Sequence, residues 1–156
     1  MKAAVLGIGG MGRGAVKTCL GSGMLDEVIA YDVDPAKFAL MKQEGIVATT
    51  STSLDAVLAD PEVQLVFITA SNDAHCPLAL AALKAGKAVM CEKPMATSLA
   101  DAKKMVEAAE KRKLFFQIGF ELRYSKLYTS IKDWVDQGLL GQVMNTHCYY
   151  ICSEFH

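Results

Sequence analysis

Two groups of residues in this 156-residue chain have the types and spacing of binding or catalytic groups. The first is Gly7-Ile8-Gly9-Gly10-Met11-Gly12, a G-x-G-x-x-G segment that directly follows an apolar run. In such a turn the first glycine allows the tight bend, the second lets a pyrophosphate approach the backbone, and the third allows close packing of helix on strand. The free N–H groups of the following helix would face the diphosphate. The segment therefore predicts a dinucleotide site.

An acidic residue, Asp32, lies twenty positions after Gly12, at the end of a second apolar run. An acid at this position can accept hydrogen bonds from both ribose hydroxyls of an adenosine, and its charge repels a 2′-phosphate. We therefore predict NAD, in preference to NADP, as the cofactor. Two alternatives stay open: Asp32 and Asp34 could merely begin the turn before Pro35, and Arg13 is a cation that could meet a 2′-phosphate.

The second group is Glu92-Lys93-Pro94, which follows a further apolar run. A lysine at the carboxyl edge of a strand can hydrogen-bond a substrate hydroxyl or take part in proton transfer. Upstream, the segment Thr69-Ala70-Ser71-Asn72-Asp73-Ala74-His75 leaves another strand-like run and opens a helix, so its backbone would line the same crevice. The plainer alternative is that Lys93 is a solvated loop lysine and Glu92 an ion-pair partner.

These residues lie between alternating strands and helices. Continuously apolar runs, which are typical of strands buried on both faces, predict strands at residues 2–8, 27–32, 46–49, 64–70, 87–91 and 113–118. Helical periodicity predicts helices at residues 10–22, 35–44, 53–60, 73–85 and 98–112. The alternation predicts an α/β fold with a doubly wound parallel (Rossmann) sheet, whose ligands bind beyond the carboxyl ends of the strands.

The pattern changes after residue 119. Residues 123–137 have an aromatic and aliphatic stripe at helical spacing, which we interpret as core packing, and residues 142–155 predict a long strand. A lone strand cannot satisfy its edges. We therefore predict a dinucleotide-binding domain over residues 1–119 and, over residues 120–156, the connecting helix and first strand of a truncated second α+β domain.

Composition narrows the class of protein. Apolar residues make up 52% and the net charge is −1, which favours a globular core and offers no electrostatic footprint for nucleic acid. No apolar run approaches the roughly 20 residues of a membrane span, and the N-terminus does not resemble a signal peptide, so we predict a cytoplasmic protein without a membrane partner. The five cysteines then predict reduced thiols. We predict no metal site, because known sites are matched poorly by the spacing of His147, Cys148, Cys152 and His156.

Taken together, the motifs resemble the glucose–fructose oxidoreductase / inositol dehydrogenase (Gfo/Idh/MocA) family of nicotinamide-dependent enzymes. The resemblance extends over the whole chain and departs from the family pattern at Ala70-Ser71, where Thr-Pro is usual, and at Ser125-Lys126, where a proline is usual. It is carried by Gly7-x-Gly9-x-x-Gly12, Asp32, Asn72-x-x-His75, Ala85-Gly86-Lys87, Glu92-Lys93-Pro94, Gly119, Arg123-Tyr124 and Gly138-Leu139-Leu140-Gly141-Gln142-Val143.

The resemblance implies a role for each matched residue. The glycine loop and Asp32 would hold the adenosine diphosphate half of NAD. The segment Ala70–Asn72 together with His75 would border the nicotinamide ribose. Lys93 would be the catalytic residue that contacts the substrate hydroxyl, and Glu92 would order the dinucleotide side of the crevice. The family also implies a cis peptide bond between Lys93 and Pro94.

The implied activity is hydride transfer between nicotinamide and a secondary alcohol of a sugar, cyclitol or related polyol. Two alternatives remain: a non-catalytic dinucleotide-binding module used in sensing or assembly, and a relative that uses NAD only transiently in sugar conversion. Members of the family are more than twice this length, and their second domain supplies an Asp and a general-base His. We therefore expect the 156-residue chain itself to be inactive, and the intact protein to be a homo-oligomer.

Overall fold

The computed structural model describes residues 1–149. The chain divides into two compact units, one over Met1–Gly119 and one that begins at Phe120.

A parallel sheet of six strands, in the order β3-β2-β1-β4-β5-β6, forms the centre of the first unit. The strands are β1 (Lys2–Leu6), β2 (Glu27–Tyr31), β3 (Thr49–Ser51), β4 (Val63–Ile68), β5 (Ala88–Cys91) and β6 (Phe116–Ile118). The intervening helices are α1 (Gly10–Gly21), α2 (Ala36–Gln43), α3 (Leu54–Ala59), α4 (His75–Lys84) and α5 (Leu99–Arg112). The strand order changes direction between β1 and β4, and such a switch point is where open α/β sheets bind ligands. The predicted doubly wound fold is confirmed.

Two buried apolar clusters pack on the two faces of the sheet. Along β1, Ala4 and Leu6 belong to one cluster and Val5 to the other, because successive side chains of a strand point to opposite faces. The first cluster includes Leu83 of α4, and the second includes residues of α1 and α2. Burial on both faces explains why the strands are continuously apolar.

The third strand begins three residues later than predicted. Residues 46–49 have strand-like composition, but Ile46 completes the end of α2: its N–H donates to the Met41 carbonyl at 3.1 Å, and the Gly45 N–H donates to the Lys42 carbonyl at 3.0 Å. Gly45 has φ +72°. This is a Schellman ending, in which the residue after the glycine packs back on the helix. Ile46 is therefore buried as part of the α2 ending and does not belong to a strand, and β3 starts only at Thr49.

In the second unit, a 3-10 turn over Glu121–Tyr124 precedes helix α6 (Lys126–Asp136). The predicted helix over 123–137 thus begins three residues late. No residue of α6 is buried within the part of the chain that the structure describes, so the interpretation of its apolar stripe as core is wrong for this stretch. The predicted strand over 142–155 is absent from residues 142–149, and the rest of it lies outside the described residues.

Among residues 1–149, no helix has both the length and the apolar character that crossing a bilayer requires.

Candidate functional site

The turn between β1 and α1 has room for glycine alone at two of its positions. Gly7 has φ +98°, and a Cβ there would lie 2.5 Å from the Ala70 Cα. A Cβ on Gly12 would lie only 1.8 Å from the Gly7 carbonyl oxygen. At Gly9, which precedes the first turn of α1, a Cβ would meet nothing within 4 Å. The first and third glycines therefore bring strand, turn and helix together, while the second leaves its side of the turn open.

Hydrogen bonds from neighbouring strands fix this turn. The Gly7 N–H donates to the Tyr31 carbonyl at 2.8 Å, and the Thr69 hydroxyl donates to the Gly7 carbonyl at 2.8 Å. The sequence analysis placed the backbone of Thr69 at the crevice but assigned no role to its side chain. The available signal was its position: it directly follows β4, which pairs with β1, so its side chain lies beside the glycine turn.

Asp32 is hydrogen-bonded to both the glycine turn and its own loop. One carboxylate oxygen accepts the Ile8 N–H at 2.7 Å, and the other accepts the Asp34 N–H at 2.9 Å. Asp32 therefore does form the turn that the alternative interpretation described. This role does not exclude ribose binding, because a carboxylate has about four acceptor positions and two of them remain.

A cleft of about 400 Å³ lies beside the glycine turn, at the carboxyl ends of β2 and β4. Asp32 and Ser71 line it, as do several residues that the sequence analysis did not single out. Those residues include Val33, Lys37, Pro77 and Leu78. Their positions in the chain could have identified them as lining residues. Val33 and Lys37 follow β2, and Pro77 and Leu78 lie in the first turn of α4.

The Glu92–Lys93 segment follows β5 at the same edge of the sheet. The Glu92 carboxylate accepts the Lys93 N–H at 3.1 Å, and a Cβ on Gly119 would lie 3.2 Å from it. Glu92 is therefore held against Gly119. Lys93 is exposed, and none of the ion pairs within residues 1–149 includes it. The peptide bond between Lys93 and Pro94 is cis, as predicted.

His75, at the start of α4, is only 1% exposed. Its Nδ1 lies 2.7 Å from the Pro94 carbonyl oxygen, and its Nε2 lies 3.2 Å from the Ala70 carbonyl oxygen. The ring is therefore buried between the two loops, whereas Ser71 and Asn72 are exposed. The ring is covered, and its contacts are the carbonyls of both loops. That His75 borders the nicotinamide ribose stays a prediction.

The cysteines of the first unit, Cys19, Cys76 and Cys91, are all buried. Cys91 is fully buried at the end of β5, and burial raises the pKa of its thiol to about 12. Burial also raises the pKa of Cys19 and Cys76. Within residues 1–149, no cluster of side chains has the composition of a metal site. Of the four residues weighed for a metal in the sequence, Cys152 and His156 lie outside the described residues.

These features fit a bound dinucleotide. The glycine turn is open at Gly9, the N–H groups of the first turn of α1 have no partners within the helix, and Asp32 keeps free acceptor positions beside the cleft. The class of protein that fold and site define is a dinucleotide-binding α/β domain. A family model described as "Oxidoreductase family, NAD-binding Rossmann fold" (GFO_IDH_MocA) matches residues 1–120. The chain belongs to this family, which confirms the resemblance and the NAD-binding class.

Curated relatives and solved structures agree with this assignment. Inositol 2-dehydrogenase of Salmonella typhimurium is 37% identical over 150 residues, which are 94% of this chain and 45% of that protein. Inositol 2-dehydrogenase 3 of Saccharopolyspora erythraea is 33% identical over 151 residues, 96% of this chain and 45% of that protein. The chain thus spans less than half the length of these relatives.

The structure of myo-inositol 2-dehydrogenase from Lactobacillus plantarum matches with a TM-score of 0.82 at 27% identity, over 92% of this chain and 43% of that one. The structure of scyllo-inositol dehydrogenase from Lactobacillus casei, which has bound NAD(H) and scyllo-inositol, matches with a TM-score of 0.78 at 26% identity. That match covers 90% of this chain and 42% of that one.

Proposed function

We propose that the intact protein is an NAD-dependent oxidoreductase that acts on a secondary alcohol of a cyclitol, sugar or related polyol. The observation that carries the proposal is the meeting of two features at one edge of the sheet. These are a turn that only glycine can form and an exposed lysine after β5 that has no ion-pair partner within residues 1–149. The inositol dehydrogenases that resemble this chain support the cyclitol class of substrate.

The proposed cofactor contacts come from three parts of the crevice. Backbone N–H groups at the start of α1 would bind the pyrophosphate, where the helix dipole also favours negative charge. The remaining acceptor positions of Asp32 would take the adenosine ribose hydroxyls. Val33, Pro77 and Leu78 supply apolar surface in the same cleft for the flat adenine ring. The exposed Ser71 and Asn72 would border the nicotinamide ribose. When bound, NAD supplies the acceptor or donor of the hydride.

Lys93 is the proposed catalytic residue. Its ammonium group would donate a hydrogen bond to the substrate hydroxyl oxygen and stabilise the negative charge that develops there as the proton leaves. Because Lys93 has no anionic partner within residues 1–149, its charge is available for this contact. Glu92, held against Gly119, would fix the backbone from which Lys93 extends.

We further propose that residues from Phe120 onward begin a second domain, which in the intact protein supplies the general base, most of the substrate pocket and the oligomer contacts. The length of the relatives supports this, since the chain covers about 45% of the inositol dehydrogenases it matches. On this proposal the 156-residue chain binds NAD but does not turn over substrate.

The test is NADH formation by the full-length protein with a panel of cyclitols and sugars. Lys93→Met should lower kcat by roughly 100-fold or more, as expected for loss of a charge-stabilising donor, while the dissociation constant of NAD changes little. Lys103→Met, at an exposed position of α5, serves as the matched control and should keep full activity. Tight NAD binding with no substrate oxidised would instead support a non-catalytic binding module, and NAD that does not exchange would indicate transient use of the cofactor.

A further inference from the structure

One buried polar side chain lies between the two loops of the crevice. The His75 ring, at the first position of α4, is within hydrogen-bond distance of the Ala70 carbonyl, which precedes Ser71 and Asn72. It also lies 2.7 Å from the Pro94 carbonyl, which follows Lys93. The ring thus joins the proposed nicotinamide-ribose side of the crevice to the proposed substrate-hydroxyl side.

No other side chain makes this connection in the part of the chain that the structure describes. The nearby hydrogen bond from the Glu92 N–H, at 2.9 Å, goes to the carbonyl of Ile68, which belongs to β4 and not to the Ala70–Asn72 turn. Pro94 has no N–H of its own, so its carbonyl is its one backbone group that can form a hydrogen bond. Without the ring, no side-chain hydrogen bond within residues 1–149 would join the two loops.

The chemistry of imidazole suits this position. Both partners are carbonyl oxygens, and a ring N–H can be donated to either, or to both when the ring carries two protons. A phenyl ring of similar size would fill the space but leave two carbonyls without that donor. Burial of an unpaired carbonyl is costly, so the loops would move to regain water.

We propose that His75 is a positioning residue that holds the Ala70–Asn72 turn and the Lys93–Pro94 segment in register. The inference rests on the proposed function, since it assigns the two loops to the two halves of one reaction site. His75 contacts neither cofactor nor substrate on this account. It sets the separation between the groups that do.

A histidine with a purely structural role would stabilise the fold, and its replacement would change NAD affinity no more than any other equally destabilising substitution does. The experiment therefore compares variants matched for loss of stability. His75→Phe keeps the approximate volume and removes the ring N–H donor, and His75→Gln keeps an amide that can donate to a carbonyl. Leu83→Ala, at a fully buried position near the other end of the same helix, is the control that destabilises the fold without removing a hydrogen bond from either loop.

The readouts are the dissociation constant of NAD for the chain, measured by calorimetry well below each thermal midpoint, and kcat and KM of the full-length protein. We expect His75→Phe to weaken NAD binding about tenfold, the size of one lost hydrogen bond, and to lower kcat further because Lys93 is displaced. His75→Gln should recover part of both losses, and Leu83→Ala should bind NAD within about twofold of wild type.

Wild-type NAD affinity in His75→Phe and His75→Gln would overturn the inference, as would an equal loss of affinity in Leu83→Ala. Either result leaves the proposed function standing. Failure of the wild-type chain to bind NAD would instead overturn the proposed function itself. If His75→Phe does not fold, the comparison between His75→Gln and Leu83→Ala decides the question.

Discussion

At the amino ends of the strands, the Lys2 ammonium lies 2.8 Å from the Asp60 carboxylate and 3.1 Å from the Glu27 carboxylate. At the carboxyl ends of the same sheet, Lys93 has no anionic partner within residues 1–149, and Asp32 is bonded to backbone N–H groups. Both edges are polar and both belong to one sheet. At the amino edge the charged side chains pair with one another. At the carboxyl edge Asp32 and Lys93 can still form hydrogen bonds with a ligand.

The difference follows from the direction of a parallel sheet. Loops after the strands gather at one edge with the free N–H groups of the following helices, so that edge can bind an anion. The opposite edge has no such donors, and its charges satisfy one another. There Lys87, itself buried, donates to the Asp60 carbonyl at 2.7 Å. The account therefore predicts that substitutions at the carboxyl edge change ligand binding, and that those at the amino edge change stability.

The largest expected effect is that of Gly12→Ala. Because the new Cβ would lie 1.8 Å from the Gly7 carbonyl oxygen, α1 must move away from the turn, at a cost of about 3 kcal/mol of unfolding free energy. NAD binding should be lost at the same time. Gly14→Ala is the matched control in the same helix: its Cβ meets nothing within 4 Å, and it should gain up to about 1 kcal/mol from helix propensity. Urea unfolding measures both, and equal stability of Gly12→Ala and wild type would contradict the geometry.

The next effect is a change of cofactor preference in Asp32→Ala. Removing the carboxylate takes away the ribose acceptor and the repulsion of a 2′-phosphate, so we expect NAD affinity to fall by about tenfold or more and the preference for NAD over NADP to disappear. Lys37, which lines the same cleft, is the cation expected to meet the 2′-phosphate. Adding Lys37→Gln to Asp32→Ala should therefore weaken NADP binding again, as measured by calorimetry. An unchanged ratio of the two affinities in Asp32→Ala would exclude the ribose role.

A smaller effect is expected at the amino edge, from Asp60→Asn. The hydrogen bond from Lys2 lowers the pKa of Asp60 below its ordinary value of 3.8. The carboxylate therefore contributes stability that is fully present above its unfolded pKa and is lost as the pH falls through its lower folded pKa. Thermal midpoints of wild type and Asp60→Asn should differ at pH 7 and converge below about pH 4. NAD affinity at pH 7 should be the same for both proteins. A weaker affinity in the variant would contradict the expectation that substitutions at the amino edge change stability alone.

The smallest effect is expected from Glu44→Gln. Arg13 lies in the first turns of α1, but its Nε donates to the Glu44 carboxylate at 2.7 Å. Breaking this partly exposed pair should cost no more than about 1 kcal/mol. If the pair is what keeps Arg13 from a 2′-phosphate, NADP affinity should rise slightly in Glu44→Gln and NAD affinity should stay the same. Unaltered NADP affinity in Glu44→Gln would indicate that Lys37, and not Arg13, is the cation that meets the 2′-phosphate.

Much of the fold was predictable because its causes are local. Apolar runs and helical periodicity identified each strand and helix of the first unit. The start of α5 at Leu99 also has a local cause, because the hydroxyl of Ser98, its N-cap residue, accepts the Asp101 N–H at 3.1 Å. The error at β3 arose because Ile46 is buried at the end of α2. Composition does not distinguish a buried residue at a helix end from a buried residue in a strand. The strand expected over 142–155 lacks, within the described residues, any neighbour to pair with.

The site was predictable where the motif itself imposes the geometry, as at Gly7 and Gly12. It was not predictable where contacts join segments distant in sequence. Thr69 reaches the glycine turn over 62 positions, and Lys37 shares a cleft with α4 only because the sheet is wound about β1. His75 was identified from the family motif, but whether its ring faces the crevice or lies beneath the loops depends on packing that no spacing pattern contains.

The most direct test of the difference between the two edges is a titration of the ¹⁵N-labelled chain with NAD, followed by amide chemical shifts. We expect large shifts at Gly9 to Gly12, Asp32 and Ser71, and unchanged shifts at Lys2, Glu27 and Glu62. Shifts centred on the amino edge, or none at millimolar NAD, would contradict it.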